Sequence, residues 1–292
     1  MKKIIKVSTV PMSLDTFCRG QLKMLCRYFD VVAVSSPDSE LKEIEKREEV
    51  RCVAVPMERH ISIFKDAVSL FKMIMVIHKE KPYIVHSMTP KAGLISMIAA
   101  WINRVPVRMH TYTGLVFPTE KGLKQKVLIA MDRLLCACAT YINPEGRGVM
   151  NDLKKYNITQ KPLHIIANGN VRGIDLNYYM RSDDVMAKAQ SLCDDTKFTF
   201  CFVGRIVGDK GINELITAFE KLKDEKGDNI RLLLVGPKED YLDPLKPDTN
   251  EMMDEDEEYC FMWKPDRRKT ILCCIGCFRV PIIQGRIPKY RA

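Results

Sequence analysis

The chain of 292 residues carries 46% hydrophobic and 28% charged side chains, a mixture that supports a packed core, excludes wholesale disorder and, at this length, allows two domains. Its longest apolar runs, residues 70–77 and 93–102, fall short of the roughly 20 residues that span a bilayer. The formal charge of +9 divides unevenly, with +7 in residues 261–292 and +2 in residues 1–260, so the body of the chain lacks the basic excess of a nucleic-acid binder.

Met1-Lys2-Lys3 opens like a signal peptide, yet Lys6 interrupts the apolar run after Ile4 and Ile5. The segment reads better as a buried first strand, and the cytoplasm is the expected compartment. β-rich runs follow near residues 4–10, 31–35, 50–55, 83–86, 107–112 and 141–143, separated by amphipathic stretches. In one of these, Phe64, Ala67, Val68, Phe71, Ile74 and Met75 recur at helical spacing. Strands alternating with helices predict an α/β fold whose parallel sheet is covered on both faces.

After a polar stretch at 151–162 a second set begins, with strands at 163–167, 198–203 and 231–235 and a helix at 212–222. Ile212, Leu215, Ile216, Phe219 and Leu222 form one stripe on that helix. The pattern then changes to a Met- and acid-rich run at 250–258 and a basic, Cys-rich tail without clean periodicity. Two Rossmann-like domains in series are expected, residues 1–160 and 161–250, the second incomplete, with residues 251–292 forming no stable core.

Eleven cysteines are scattered mostly among apolar neighbours, where a reduced thiol behaves as a small hydrophobe. Cys274 and Cys277 have C-x-x-C spacing, but a structural zinc needs four ligands and no second pair lies nearby, so no metal site is expected. The histidines at strand ends are better candidates. His86 and His110 each close a predicted strand and lead into Thr89, Lys91 and Gly93 or Thr111, Thr113 and Gly114. Ligands of open α/β sheets bind at that carboxyl edge; the competing reading for both is a histidine of the core.

Five stretches, in order, carry a family resemblance. They are Ser8-Thr9-Val10-Pro11-Met12-Ser13-Leu14; His86-Ser87-Met88-Thr89-Pro90-Lys91-Ala92-Gly93; His110-Thr111-Tyr112-Thr113-Gly114-Leu115-Val116-Phe117; Asn168-Gly169 with Gly173-Ile174-Asp175; and Gly204-Arg205 with Asp209-Lys210-Gly211. Over about residues 4–240 the chain resembles the bacterial polysaccharide branch of the family-4 glycosyltransferases, which have the two-domain GT-B fold. The resemblance implies transfer of a sugar from a nucleotide diphosphate sugar, a UDP-sugar, to a polysaccharide or lipid-linked oligosaccharide acceptor, with retention and without a metal or other cofactor. It implies an acceptor-side domain followed by a donor-binding one.

The same resemblance assigns roles. Gly204, Arg205 and Lys210 become the clamp for the donor diphosphate, where cations and helix N-terminal amides meet the charge that grows on the leaving group. Gly20 and Asp175 join the donor side, although the paired glycines of many relatives appear here as Arg19-Gly20-Gln21. His110 is the expected catalytic group at the transferred sugar, with His86, Thr111, Thr113, Gly114 and Lys91 positioning the acceptor or donor. A solvated loop with ordinary charges is the alternative for Arg205 and Lys210, and a plain turn for the Gly173–Asp175 segment.

The tail departs from the family. Back-translation of residues 261–292 with the first base dropped can restore a helix start, a strand and a segment resembling the family's acidic donor motif. A frame change near residue 260 is therefore expected, and with it a truncated, impaired enzyme. The alternative function is an inactive fragment that binds acceptor or a partner; a sugar epimerase of the same fold fits the 110–117 segment less well. Lys65, Lys72, Lys79, Lys81 and Arg104 flank two apolar helices, which permits peripheral contact with the inner membrane face; a core helix edged with lysine is the competing reading.

Overall fold

The computed structural model describes residues 1–58, 62–173, 176–177, 180, 182–190, 198–238, 243–255 and 259–262. The chain divides into two compact units, Met1–Ile174 and Asp175–Ala292. The first contains β1 (Lys3–Val7), α1 (Pro11–Cys18), α2 (Gln21–Leu25), β2 (Asp30–Ser35), α3 (Ser39–Glu48), β3 (Arg51–Ala54), α4 (Ile63–Glu80), β4 (Ile84–Ser87), α5 (Pro90–Ile102), β5 (Val107–Tyr112), α6 (Gly122–Cys138), β6 (Tyr141–Pro144) and α7 (Arg147–Lys155). Its six strands are parallel in the order β3-β2-β1-β4-β5-β6.

A sheet of this kind is covered on both faces, which is why β1 and β2 read as nearly unbroken aliphatic runs. Alternation sends Ile5, Val7, Val32, Val34 and Val85 into one core and Ile4, Val31 and Ala33 into the other. β1 stops at Val7, short of the expected residue 10, because Pro11 opens α1 with Val10 as its extended N-cap. Strand order reverses between β1 and β4, and the crevice outside the carboxyl ends of such a pair is where this architecture receives ligands.

Two expectations in this unit are corrected. The polar stretch at 151–162 is helical as far as Lys155, and 163–167 forms no strand but a single bridge from Leu163 to Ile142. Leu163 packs on the core that holds Ile142, and Val171 packs on the opposite one. These contacts keep the segment after residue 160 with the first unit, so the division falls later than the sequence pattern placed it.

The periodicity of α4 is real, but its apolar stripe does not face the core. The helix buries Ser69, Met73, Ile77 and Glu80, while Phe64 is 87%, Val68 52%, Phe71 64% and Met75 53% exposed. Glu80 is buried because Lys3 and Arg51 hold its carboxylate, and the two cations keep it below the usual carboxylate range.

The second unit contains α8 (Asp183–Gln190), β7 (Phe198–Val203), α9 (Ile212–Lys226), β8 (Ile230–Val235), α10 (Pro247–Glu255) and β9 (Tyr259–Met262). Its strands are parallel in the order β7-β8-β9. All five stripe residues of α9 pack into one core with Phe202, Leu232 and Leu234. The expected break in pattern after residue 250 is corrected here. Residues 250–255 of the Met- and acid-rich run belong to α10, an amphipathic helix that buries Thr249 and Met253 and exposes Glu251 and Asp254. It leads to a third strand, whose Tyr259 and Cys260 pair with Leu232 and Leu233. The remainder of the expected unfolded tail, residues 256–258 and 263–292, lies outside the described residues.

Met253 is 3% exposed in the core formed by α9 and β8, so Met253→Ala should cost about 2 kcal/mol or more. Hydrogen exchange of the β7 and β8 amides checks this: protection should fall in the variant and stay unchanged in Glu251→Ala.

Candidate functional site

The loops at the carboxyl edge of the first sheet are held by hydroxyl groups. Thr9 and Thr89, which follow β1 and β4, meet with their Oγ1 atoms 2.8 Å apart. The Thr9 amide donates to Thr89 Oγ1 at 2.9 Å, and the Ala92 amide of the first turn of α5 donates to Thr9 Oγ1 at 3.3 Å. A first-turn amide of α5 is thereby satisfied from a neighbouring strand end. Thr113, just beyond β5, donates to the Met88 carbonyl at 3.0 Å and ties that loop to the end of β4.

His110 lies within the strand, since β5 runs on through Thr111 to Tyr112. Its ring is fully buried, with Nδ1 2.8 Å from Ser87 Oγ and the Tyr112 ring edge-on at 4.5 Å. α5 covers it at Gly93, where an added Cβ would stand 2.5 Å from His110 Cε1 and 2.7 Å from Leu135 Cδ1. Nε2 has no hydrogen-bond partner among the described residues. Burial drives the pKa down to about 3, so the imidazole is neutral at ordinary pH. The residue that reaches the edge is Tyr112, followed by Thr113 and Gly114; His110 sits one layer beneath.

His86 occupies the opposite face of the sheet. Its Nδ1 is 2.9 Å from Lys6 Nζ and its Nε2 2.8 Å from Thr111 Oγ1, forming a chain across β1, β4 and β5. Lys6 is 2% exposed and desolvation lowers its pKa. Desolvation, then Lys6, then His110 push His86 well below the usual imidazole value, because neither neighbour offers a negative charge. Sequence reasoning placed Thr89 at this edge but missed Lys6, Ser87 and Thr9 as its members. The available signal was Lys6 itself, a cation inside an otherwise aliphatic strand.

The other expected residues are dispersed. Lys91 Nζ bonds Asp66 Oδ1 at 2.7 Å and pins α5 to α4. Gly20 follows a full helix after β1, and its amide donates to both oxygens of buried Glu48 at 2.9 and 3.0 Å. α3 ends at Glu48, directly ahead of β3, so this contact belongs to the amino side of the sheet, away from the edge loops. Gly20 has φ +75°, and its demonstrable role is that left-handed junction between α1 and α2. Asp175 lies outside the described residues.

In the second unit, the loop from β7 to α9 carries Gly204, Arg205 and Lys210. The Gly204 amide donates to the Val235 carbonyl at 2.9 Å, and the two backbones approach so closely that a Cβ on Gly236 would fall 1.6 Å from the Gly204 oxygen. Arg205 Nη2 lies 3.6 Å from Asp209 Oδ2. Asp243 anchors the turn, accepting from the Asp209 amide at 2.5 Å. Lys210 directly precedes Gly211, which caps α9 with φ +75° and contributes no side-chain oxygen to the first-turn amides. Two cations thus stand on one short turn at a helix N-terminus, an arrangement suited to a phosphate. Among the described residues no three His, Cys, Asp or Glu side chains converge as a metal cluster would.

The six-stranded parallel order, followed by a second parallel unit with a glycine-bearing strand-to-helix loop, defines an α/β protein of the GT-B type. Solved structures agree: HepE from Anabaena, bound to UDP and glucose, superposes with a TM-score of 0.70 at 14% identity, over 94% of this chain and 72% of that one. Sucrose-phosphate synthase from Thermosynechococcus elongatus gives 0.66 at 17% identity, over 94% and 73%.

The chain belongs to the glycosyl transferase 4-like family, whose model matches residues 17–169; residues 186–257 match the glycosyl transferases group 1 model. It is 38% identical over 237 residues to the capsular polysaccharide biosynthesis glycosyltransferase CapM of Staphylococcus aureus, covering 80% of this chain and 61% of that relative. It is 29% identical over 165 residues to the UDP-Gal:alpha-D-GlcNAc-diphosphoundecaprenol alpha-1,3-galactosyltransferase of Escherichia coli, covering 54% of this chain and 41% of the other. The chain therefore spans less than two thirds of these relatives' lengths.

The contact of Gly93 with the His110 ring makes Gly93→Ala an overpacking change, expected to cost about 1–3 kcal/mol and measurable as a lower urea midpoint. The His110 proton supplies a second test. Unfolded imidazole binds a proton below about 6.5, whereas in the fold it does so only near 3. The unfolded state therefore binds more protons between these values, and the contribution of this group to stability falls as pH drops through that window. Asp132, raised to about 6 by burial, acts in the opposite sense. Nitrogen NMR isolates the histidine: its resonances should remain those of a neutral ring from pH 8 to pH 5.

Proposed function

We propose that the chain transfers a sugar from a UDP-sugar to a lipid-linked or oligosaccharide acceptor in capsular or exopolysaccharide assembly, with retention at the anomeric carbon and without a metal ion. The observation that carries this reading is the Gly204–Gly211 turn, where Arg205 and Lys210 precede a helix whose first amides lack a side-chain cap. As the bond from anomeric carbon to diphosphate breaks, negative charge grows on the leaving oxygen. Fixed cations and backbone amides stabilise it without reorganising at that moment. The UDP in HepE and the UDP-Gal and diphosphoundecaprenol in the name of the E. coli relative support the choice of donor and acceptor class.

In this reading the edge of the first sheet receives the sugars. Thr113 and Gly114 form the surface of the loop after β5, while His86 and Thr111 hold it from beneath. His110 acts as a positioning group: neutral and enclosed, it fixes Ser87 and the end of β5 rather than exchanging a proton with substrate. Lys91 contributes through Asp66, by setting the start of α5. Structures of UDP-GlcNAc 2-epimerases share the fold with lower TM-scores of 0.54–0.56; the family match of residues 17–169 favours transfer.

A panel of UDP-sugars with a lipid-diphosphate sugar acceptor tests the proposal, read as UDP release and transferred sugar. Arg205→Ala and Lys210→Ala should each lower kcat/KM by about 10²–10³-fold. Wild-type chain that neither binds UDP nor turns over any donor in the panel would refute the reading and favour a chain that only binds acceptor or a partner.

A further inference from the structure

We propose that Lys6 is a positioning residue for the sugar at the edge of the first sheet: it sets the tautomer of His86, and through it the hydrogen that Thr111 offers. Which ligand meets that hydrogen follows from the transfer reading and rests on it; the order of the hydrogen bonds does not. Lys6 is 2% exposed, between Ile5 and Val7, which are fully buried. No carboxylate pairs with it among the described residues. Its one hydrogen-bond partner there is His86 Nδ1, at 2.9 Å. Burying an amine without a counter-ion is costly, and an apolar side chain of the same length would fill the space at less cost. Packing therefore does not account for Lys6, and its contact with His86 is what remains to be explained.

Counting donors fixes the order of the chain. An ammonium has only N–H groups to give, and an uncharged amine still has more N–H groups than lone pairs. In either state, donation to His86 leaves fewer N–H groups without a partner than acceptance would, and buried orphan donors are the expensive ones. Nδ1 is therefore the accepting nitrogen, and the neutral ring carries its hydrogen on Nε2. Nε2 lies 2.8 Å from Thr111 Oγ1, so the ring donates and the threonine oxygen accepts. The hydroxyl hydrogen of Thr111 is then left without an acceptor among the described residues, although the residue is only 7% exposed. Thr111 is the last but one residue of β5, at the carboxyl edge where ligands of open parallel sheets bind. A hydroxyl held in this order can only give, so the group it fits is an oxygen lone pair of the bound sugar. With the opposite tautomer Thr111 would give its hydrogen to the ring and offer the sugar nothing but lone pairs.

Nitrogen NMR of the full chain reads the order directly, with neither donor nor acceptor present and the His86 signals assigned by their loss in His86→Gln. The wild-type ring should carry its hydrogen on Nε2, and Lys6→Met should move Nδ1 to the resonance of a nitrogen without a hydrogen bond. A wild-type ring protonated on Nδ1 would overturn the proposal whether or not the chain transfers sugar. Kinetics with an active donor and acceptor test the consequence. Thr111→Val should raise the KM of one sugar substrate by about tenfold with kcat nearly unchanged, and Thr111→Ser should restore it. Lys6→Met should raise the same KM severalfold and add nothing in the Thr111→Val background, because both act through one hydroxyl. Additive effects, or an effect of Lys6→Met on stability alone, would overturn the positioning role. Should Lys6→Met fail to fold, the wild-type tautomer and the Thr111 variants decide. A wild type that turns over no donor would sink the transfer reading and the positioning role with it, while the tautomer assignment stands or falls by the NMR alone.

Discussion

A parallel sheet buried on both faces leaves its strands no water, so a polar side chain on them is stabilised by a partner within the sheet or under its helices. In the first unit this constraint organises the carboxyl ends of β1, β4 and β5. Ser87 and His110 meet on one face, Lys6, His86 and Thr111 on the other, and Thr9 and Thr89 across the reversal of strand order. Each group links two or three strands or the loops that follow them, so the ends of β1, β4 and β5 are held together by polar contacts. The same desolvation keeps both histidines neutral. These rings serve as rigid hydrogen-bonding elements and not as readily protonated acids.

The second unit meets a different requirement. In the proposed reading its strand-to-helix loop receives an anionic ligand, and charge lies on the turn and not inside the strands. Close approach of Gly204 and Gly236 and the anchor supplied by Asp243 shape the turn, leaving Arg205 and Lys210 beside the uncapped start of α9. Neutral, buried polar groups in one unit and cations on a turn in the other correspond to the two tasks of the proposed reaction: positioning sugar hydroxyls and stabilising a departing diphosphate.

Much of the fold was legible in the sequence because parallel strands and their helices leave strong periodic marks. The strands, the α9 stripe and the glycine-cation loop all follow from alternation, spacing and turn chemistry. The last described helix of the second unit was not legible, because the buried Thr249 and Met253 are surrounded by acidic neighbours that dominate the local composition. The 163–167 segment misled for the opposite reason: its aliphatic residues pack as an irregular segment on the sheet without extending it.

The sequence by itself determined the alternation of strands and helices, the placement of polar residues at strand ends and the family to which the chain belongs, since all three are carried by local residue order. Tertiary structure decided which side of each element meets the core. Helical spacing identifies a stripe on α4 but not its direction; only the packing of Met73 and Ile77 turns Phe64, Phe71 and Met75 outward. Likewise His110 reads as an edge residue until α5 closes over it at Gly93. Burial depends on what neighbouring elements cover, and that is a property of non-local contacts which no window of residues contains.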